Sequence, residues 1–163
     1  MNDDADSSDL LSEKILSLIF RKRYDEAKEL IDAERKRLPE QEHRLLALSA
    51  TLHERVGNID KSIALMRQAL KERPDWLPHL YQLSVMLMDA EHWEEADVVL
   101  KEAISLSQAK NDAYFLGECR FRRAVCLHAL RRSDELEQAK AQIPADLSIF
   151  IGDGLYRIDD LIK

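Results

Sequence analysis

Between His43 and Ile104 one alternation of apolar, small and polar positions is written twice, 34 residues apart. Leu46 answers Leu80, Ala50 answers Ser84, Ile59 answers Trp93, Ser62 answers Ala96, Met66 answers Leu100 and Ala69 answers Ala103. The same design extends in both directions. Leu11, Ile15, Leu18 and Ile19 recur at helical spacing, as do Ala27, Leu30, Ile31 and Leu38, which predicts two helices joined near Arg23 and stopped by Pro39. Tyr24-Asp25-Glu26-Ala27 falls on Ile59-Asp60-Lys61-Ser62 after a shift of 35, and Pro39 falls on Pro74. Each second helix thus opens with a large apolar residue, acids suited to a helix N-terminus, and a small residue where two helices come close.

Further along, Tyr114, Phe115, Cys119, Ala124, Cys126, Leu127 and Leu130 predict a longer helix, and Leu136, Ala139 and Ile143 a shorter one that Ser133 would cap. The last residues break the rhythm. Leu147 to Ile151 is β-branched and aromatic, Gly152-Asp153-Gly154 reads as a turn, and Leu155 to Ile158 alternates, which predicts a hairpin followed by a helical turn at Asp159-Asp160-Leu161-Ile162. The expected organisation is an acidic mobile tail over 1–8, with Ser7, Ser8 or Asp9 capping the first helix. Helical pairs over 9–39, 43–74, 77–108 and 112–143 follow, and then the hairpin and turn over 145–163.

The period, the Gly57 turn, the small residues Ala50, Ser62 and Ala69, and the closing Pro74 resemble a tetratricopeptide repeat, whose period is about 34 residues. That resemblance implies an all-α, right-handed α-α superhelix of about four pairs, with a concave surface built from the first helix of each. Carried over to this chain, the surface holds Leu16 and Phe20, then Arg44, Ala47, Thr51, Glu54 and Arg55, then Tyr81, Val85, Met88 and Asp89, then Phe121, Val125 and His128. Tyr81, Met88 and Phe121 would form an apolar strip bordered by Arg55 and Asp89, a composition suited to gripping a peptide or protein segment. Burial of Tyr81 and Val85 as core is the competing expectation.

Composition agrees with the helical pattern and adds little chemistry. The 163 residues are 45% hydrophobic with only four Gly and four Pro, so one domain with a continuous core is expected. Net charge is −7, four of those charges lying in the first nine residues, and an acidic balance is the wrong sign for nucleic acid. The longest apolar runs are too short to cross a bilayer, and Met1-Asn2-Asp3-Asp4 has neither the basic flank nor the apolar core of a leader. A cytoplasmic protein without membrane or nucleic-acid contacts is expected.

Cys119 and Cys126 lie too far apart on one helix to be bridged to each other. They read as buried small side chains, or as a nucleophile with His128, although Cys126 and His128 point to different sides. His43, His53, His79, His92 and His128 have no metal-binding spacing. No cofactor or metal is therefore expected. Glu91, Glu94, Glu95 and Asp97 read as a solvated face. Arg120, Arg122 and Arg123, with Arg131 and Arg132, form a basic cluster, either a second site for an acidic partner or a salt-bridged helix surface. Three functions follow: a non-enzymatic module binding protein or peptide; a dedicated neutralising partner, such as the immunity protein of a bacterial toxin or a secretion chaperone; and, least supported, an enzyme. Weak self-association through the repeat ends stays open.

Overall fold

The computed structural model describes residues 3–151 and 154–161, with side chains over 9–151 and 154–160. They form two compact units, Met1–Pro74 and Asp75–Lys163. In the first, α1 (Asp3–Phe20) pairs with α2 (Tyr24–Arg37), a 3-10 turn at Pro39–Gln41 follows, and α3 (Glu42–Arg55) pairs with α4 (Ile59–Glu72). Its core gathers Ile15, Ile19, Ala27, Ile31, Leu45, Leu48 and Leu52, the positions that helical periodicity marks. Ala50, Ser62 and Ala69 are fully buried, as expected of side chains that let helices close up.

The tail expected over 1–8 is helical from Asp3 onward, so Ser7, Ser8 and Asp9 lie within α1 rather than capping it. Acidic residues are favourable in a first helical turn, where they face the positive end of the macrodipole. The run of aspartates read as a tail is therefore also a good helix start.

The second unit holds α5 (Leu77–Asp89), α6 (Trp93–Lys110), α7 (Ala113–Ala129) and α8 (Ser133–Lys140), then β1 (Ser148–Ile151), β2 (Gly154–Arg157) and α9 (Ile158–Leu161). The strands pair antiparallel, with Ile149 opposite Tyr156 and Phe150 opposite Leu155. The expected hairpin is present; Gly152 and Asp153 of its turn, and Ile162, lie outside the described residues. Two strands alone are marginal in water. Here Ile149 is buried among Phe121, Ala124 and Leu127 of α7, Leu136 and Ala139 of α8, and Ile143, with Leu147, Ile151, Tyr156 and Ile158 packed around them. Arg157 also donates to the Ala145 carbonyl.

Helix ends show one device repeated. Lys22, Gly57, Glu91, Asn111 and Arg131 all have positive φ. At each, the left-handed residue donates to the carbonyl three back and the next residue to the carbonyl five back, as in Gly57 to Glu54 and Asn58 to His53, or Arg131 to His128 and Arg132 to Leu127. This double bond is the Schellman closure, and it satisfies carbonyls that a helix end leaves open. At the start of α7 the Asp112 carboxylate accepts from the Phe115 N–H at 3.1 Å. Ser133 does not cap α8: Arg132 occupies that position without a side-chain bond. Among the described residues no helix is long and apolar enough to cross a membrane.

Candidate functional site

The first helices of the pairs, α1 and α3 in one unit and α5 and α7 in the other, carry the residues expected to bind a partner. In the first unit Phe20 is 61% exposed at the end of α1. The Arg55 guanidinium lies over its ring, 5.0 Å from the centroid, and the Tyr24 hydroxyl donates to the Arg55 carbonyl at 3.5 Å. Arg44 pairs with Asp9 at 2.9 Å. Thr51 is buried and returns its hydroxyl to the Ala47 carbonyl at 3.2 Å, so it offers nothing to a ligand. Leu16 packs against the core, and Ala47 is buried.

The second unit divides its expected strip. Phe121 is fully buried and lies beneath the hairpin, with Val125 packed against the same cluster, and Met88 is buried as well. Phe121 is thus core rather than surface, because the hairpin covers the side of α7 that the repeat pattern alone leaves open. Tyr81 and Val85 are half-buried, while Asp89 and His128 are exposed.

Around Tyr81 a different set assembles. Its hydroxyl donates to Glu118 Oε2 at 3.1 Å and accepts from Arg122 Nε at 3.0 Å. The Arg122 guanidinium lies 5.2 Å from the ring centroid. Phe115 meets Tyr81 edge-on at 5.4 Å, and Tyr114 meets Phe115 at 5.3 Å. Burial pushes the Tyr81 phenol up to about 12, against the pull of Arg122. Tyr114 is 69% exposed, which leaves an aromatic face open to solvent beside an Arg–Glu pair. Tyr114, Phe115 and Glu118 are absent from the binding surface that the sequence predicts, where Tyr114 and Phe115 serve only to mark a helix. The spacing of Tyr114, Glu118 and Arg122, four residues apart on one helix face, is the signal that could have found them.

The basic cluster does not form one surface. Asp97, expected on a solvated face, is only 1% exposed. Its Oδ1 accepts from Arg123 Nε at 2.8 Å, and its Oδ2 meets Lys101 at 2.7 Å and Arg132 at 3.3 Å. Arg123 and Arg132 also reach Glu135, at 3.4 and 4.0 Å. Arg122 turns to Tyr81 and to the Phe150 carbonyl at 3.5 Å, and Arg120 donates to the Gln142 carbonyl at 3.2 Å. Successive residues on a helix point about 100° apart, so neighbouring arginines find separate partners. The salt-bridged alternative describes Arg123 and Arg132.

Cys119 and Cys126 are both buried. Burial pushes each thiol up to about 12, with Glu118 adding at Cys119 and Asp97 at Cys126. At neutral pH both are protonated and shielded, the opposite of an activated nucleophile. Desolvation lowers His43 and His53, aided at His43 by Arg73 and Arg44 and at His53 by Lys61 and Lys28. Among the described residues, no group of three or more His, Cys, Asp or Glu side chains is placed to hold a metal ion.

These paired helices, small buried contact residues and left-handed turns define a helical-repeat fold of the tetratricopeptide type. Solved structures with the same fold include the TPR-like repeats of a Podospora anserina chain assigned as a kinesin light chain. That match has a TM-score of 0.68 and 13% identity, over 81% of this chain and 71% of that one. MamA MSR-1 aligns with a TM-score of 0.60 at 18% identity, over 80% of this chain and 71% of its own. MamA AMB-1 aligns at 0.61 and 20%, over 85% and 72%. No protein-family model and no curated protein matches the sequence.

Proposed function

We propose that the protein is a non-enzymatic interaction scaffold that binds a peptide or protein segment through the first-helix faces of its pairs. The observation that carries this reading is the aromatic face of α5 and α7, where exposed Tyr114 leads through Phe115 to Tyr81 beside Arg122 and Glu118. Rigid aromatics next to an Arg–carboxylate pair offer large contact area at low entropic cost and orient a partner by polar contacts. Phe20 under Arg55 offers a smaller surface of the same kind in the first unit. Buried, protonated thiols support a binding rather than a catalytic role.

The test is quantitative affinity purification from native lysate followed by mass spectrometry. Tyr114→Ala combined with Tyr81→Phe should deplete specific partners while circular dichroism stays helical. Phe121 is left intact because truncating it would open the core. Unchanged capture by the double variant overturns the assignment.

The acidic balance of −7 supports a second reading, a neutralising partner that covers a basic protein. Co-expression with the product of the adjacent gene separates the two: a tight equimolar complex with rescue of growth favours neutralisation, and loose binding to many segments favours the scaffold.

A further inference from the structure

Beside the buried Asp97 network lies a pocket of about 160 Å³, lined by Lys101, Ser105, Arg120, Arg123 and Gln142 together with apolar wall. A single water needs only about 10–15 Å³ of such space, so a small molecule fits. The charge around the pocket does not close. Lys101, Arg123 and Arg132 all converge on Asp97, whose two oxygens are occupied by them. Glu135 adds one further carboxylate to Arg123 and Arg132. Among the described residues Arg120 receives no carboxylate: its terminal nitrogen donates to a neutral carbonyl, that of Gln142. Its Nε is buried with no hydrogen-bond partner among the described residues.

Among the described residues four cations thus face two anions, and Arg120, a guanidinium without a counter-charge there, lines the pocket. A guanidinium held at a pocket wall without a carboxylate keeps donors for an anion. Arg is the side chain best matched to oxyanions, through its fork of donors, and Lys101 and Gln142 bring further donors to the same walls, while the Ser105 hydroxyl donates to the Lys101 carbonyl at 3.0 Å.

We infer that this pocket is a binding site for a small tetrahedral oxyanion of the phosphate or sulfate class, with Arg120 as its principal contact. The anion meets the outward donors of the Arg120 guanidinium and offsets the excess positive charge. Only the second unit is involved, and the site is separate from the aromatic face on Tyr81 and Tyr114.

Titration of the full chain with inorganic phosphate at constant ionic strength, followed by two-dimensional amide and Arg side-chain NMR, tests this. Saturable shifts are expected at Arg120 Nε, Ser105 and Gln142. Arg120→Gln should weaken binding by at least about tenfold, as expected for loss of a charge-assisted contact. Lys71→Gln in the first unit should leave it unchanged. Should Arg120→Gln unfold, Ser105→Asp, an exposed change that sets a carboxylate at the rim, should abolish binding in a folded protein. A further arm uses phosphatidylcholine vesicles doped with phosphatidic acid. Capture that free phosphate competes away assigns the anion to a lipid headgroup, and absence of capture assigns it to a free ion. Linear, non-saturating shifts in the wild type, or full binding by both pocket variants, overturn the proposal.

Discussion

At the scale of single residues, burial decides what each group can do. Cys119 and Cys126 keep their protons in the fold up to about pH 12, whereas an unfolded thiol loses its proton near the ordinary value of 9. Tyr81 behaves alike between its ordinary 10 and about 12. Within those windows the unfolded state has released protons that the folded state retains, so stability is full below pH 9 and falls as pH rises toward 12. The slope is about 1.4 kcal/mol per pH unit for each group that keeps its proton. Urea unfolding at a series of alkaline pH values should show this decline, and Cys119→Ala with Cys126→Ala should flatten it. Burial of the thiols was legible from their residue type and helical phase. The burial of Asp97 was partly so, since it neighbours Ala96 and stands three before Leu100 on the inward side of α6. What hid it was its charge: a carboxylate goes inside only when cations meet it there, and Arg123 and Arg132 arrive from more than 25 residues away.

At the scale of elements, the turns carry a cost that the sequence does not announce. Non-Gly residues in the left-handed region are strained by about 1–2 kcal/mol, partly offset against the chain entropy that a glycine loses on folding. Lys22, Glu91 and Arg131 occupy that region where Gly57 does so freely. Lys22→Gly, Glu91→Gly and Arg131→Gly should therefore each stabilise by about 0.5–1 kcal/mol, read as a rise in urea midpoint. Gly57→Ala should destabilise by a similar amount through φ alone, because a Cβ there meets nothing within 4 Å. Periodicity, small residues and prolines make the helical pairs readable, and Gly57 marks one turn. The join near Arg23 was readable from the helices on either side, but Lys22, Glu91 and Arg131 do not announce the left-handed residue, because a Schellman closure follows where the helix stops. The length of α1 was underestimated for a related reason: an acidic run suits both a solvated tail and a helix N-terminus.

At the scale of the whole molecule, the two units reach stability by different means. The first rests on an aliphatic core. The second adds a carboxylate that three cations from α6, α7 and the turn before α8 share. Removing the buried carboxylate leaves cations that reach solvent, Lys101 and Arg132 most, so the cost is about 1–3 kcal/mol rather than that of a stranded buried charge. Asp97→Ala should lower the unfolding midpoint accordingly, followed by fluorescence of Trp76 and Trp93, both of which lie in that unit. The fold class was readable because repeats are written locally. The candidate binding face was readable only in part, because Phe121 becomes core through Ile149, a contact across 28 positions that no local pattern encodes. That contact has one more consequence. Stacked helical pairs contain no instruction to stop, since each presents the next with a fresh apolar side. In this chain the apolar side of α7 and α8 that holds Phe121, Leu127 and Leu136 is taken by a two-stranded ribbon whose outward residues, Phe150 and Leu155, do not offer helical ridges. The segment that covers this surface is intramolecular, so its local concentration is the same however abundant the protein becomes.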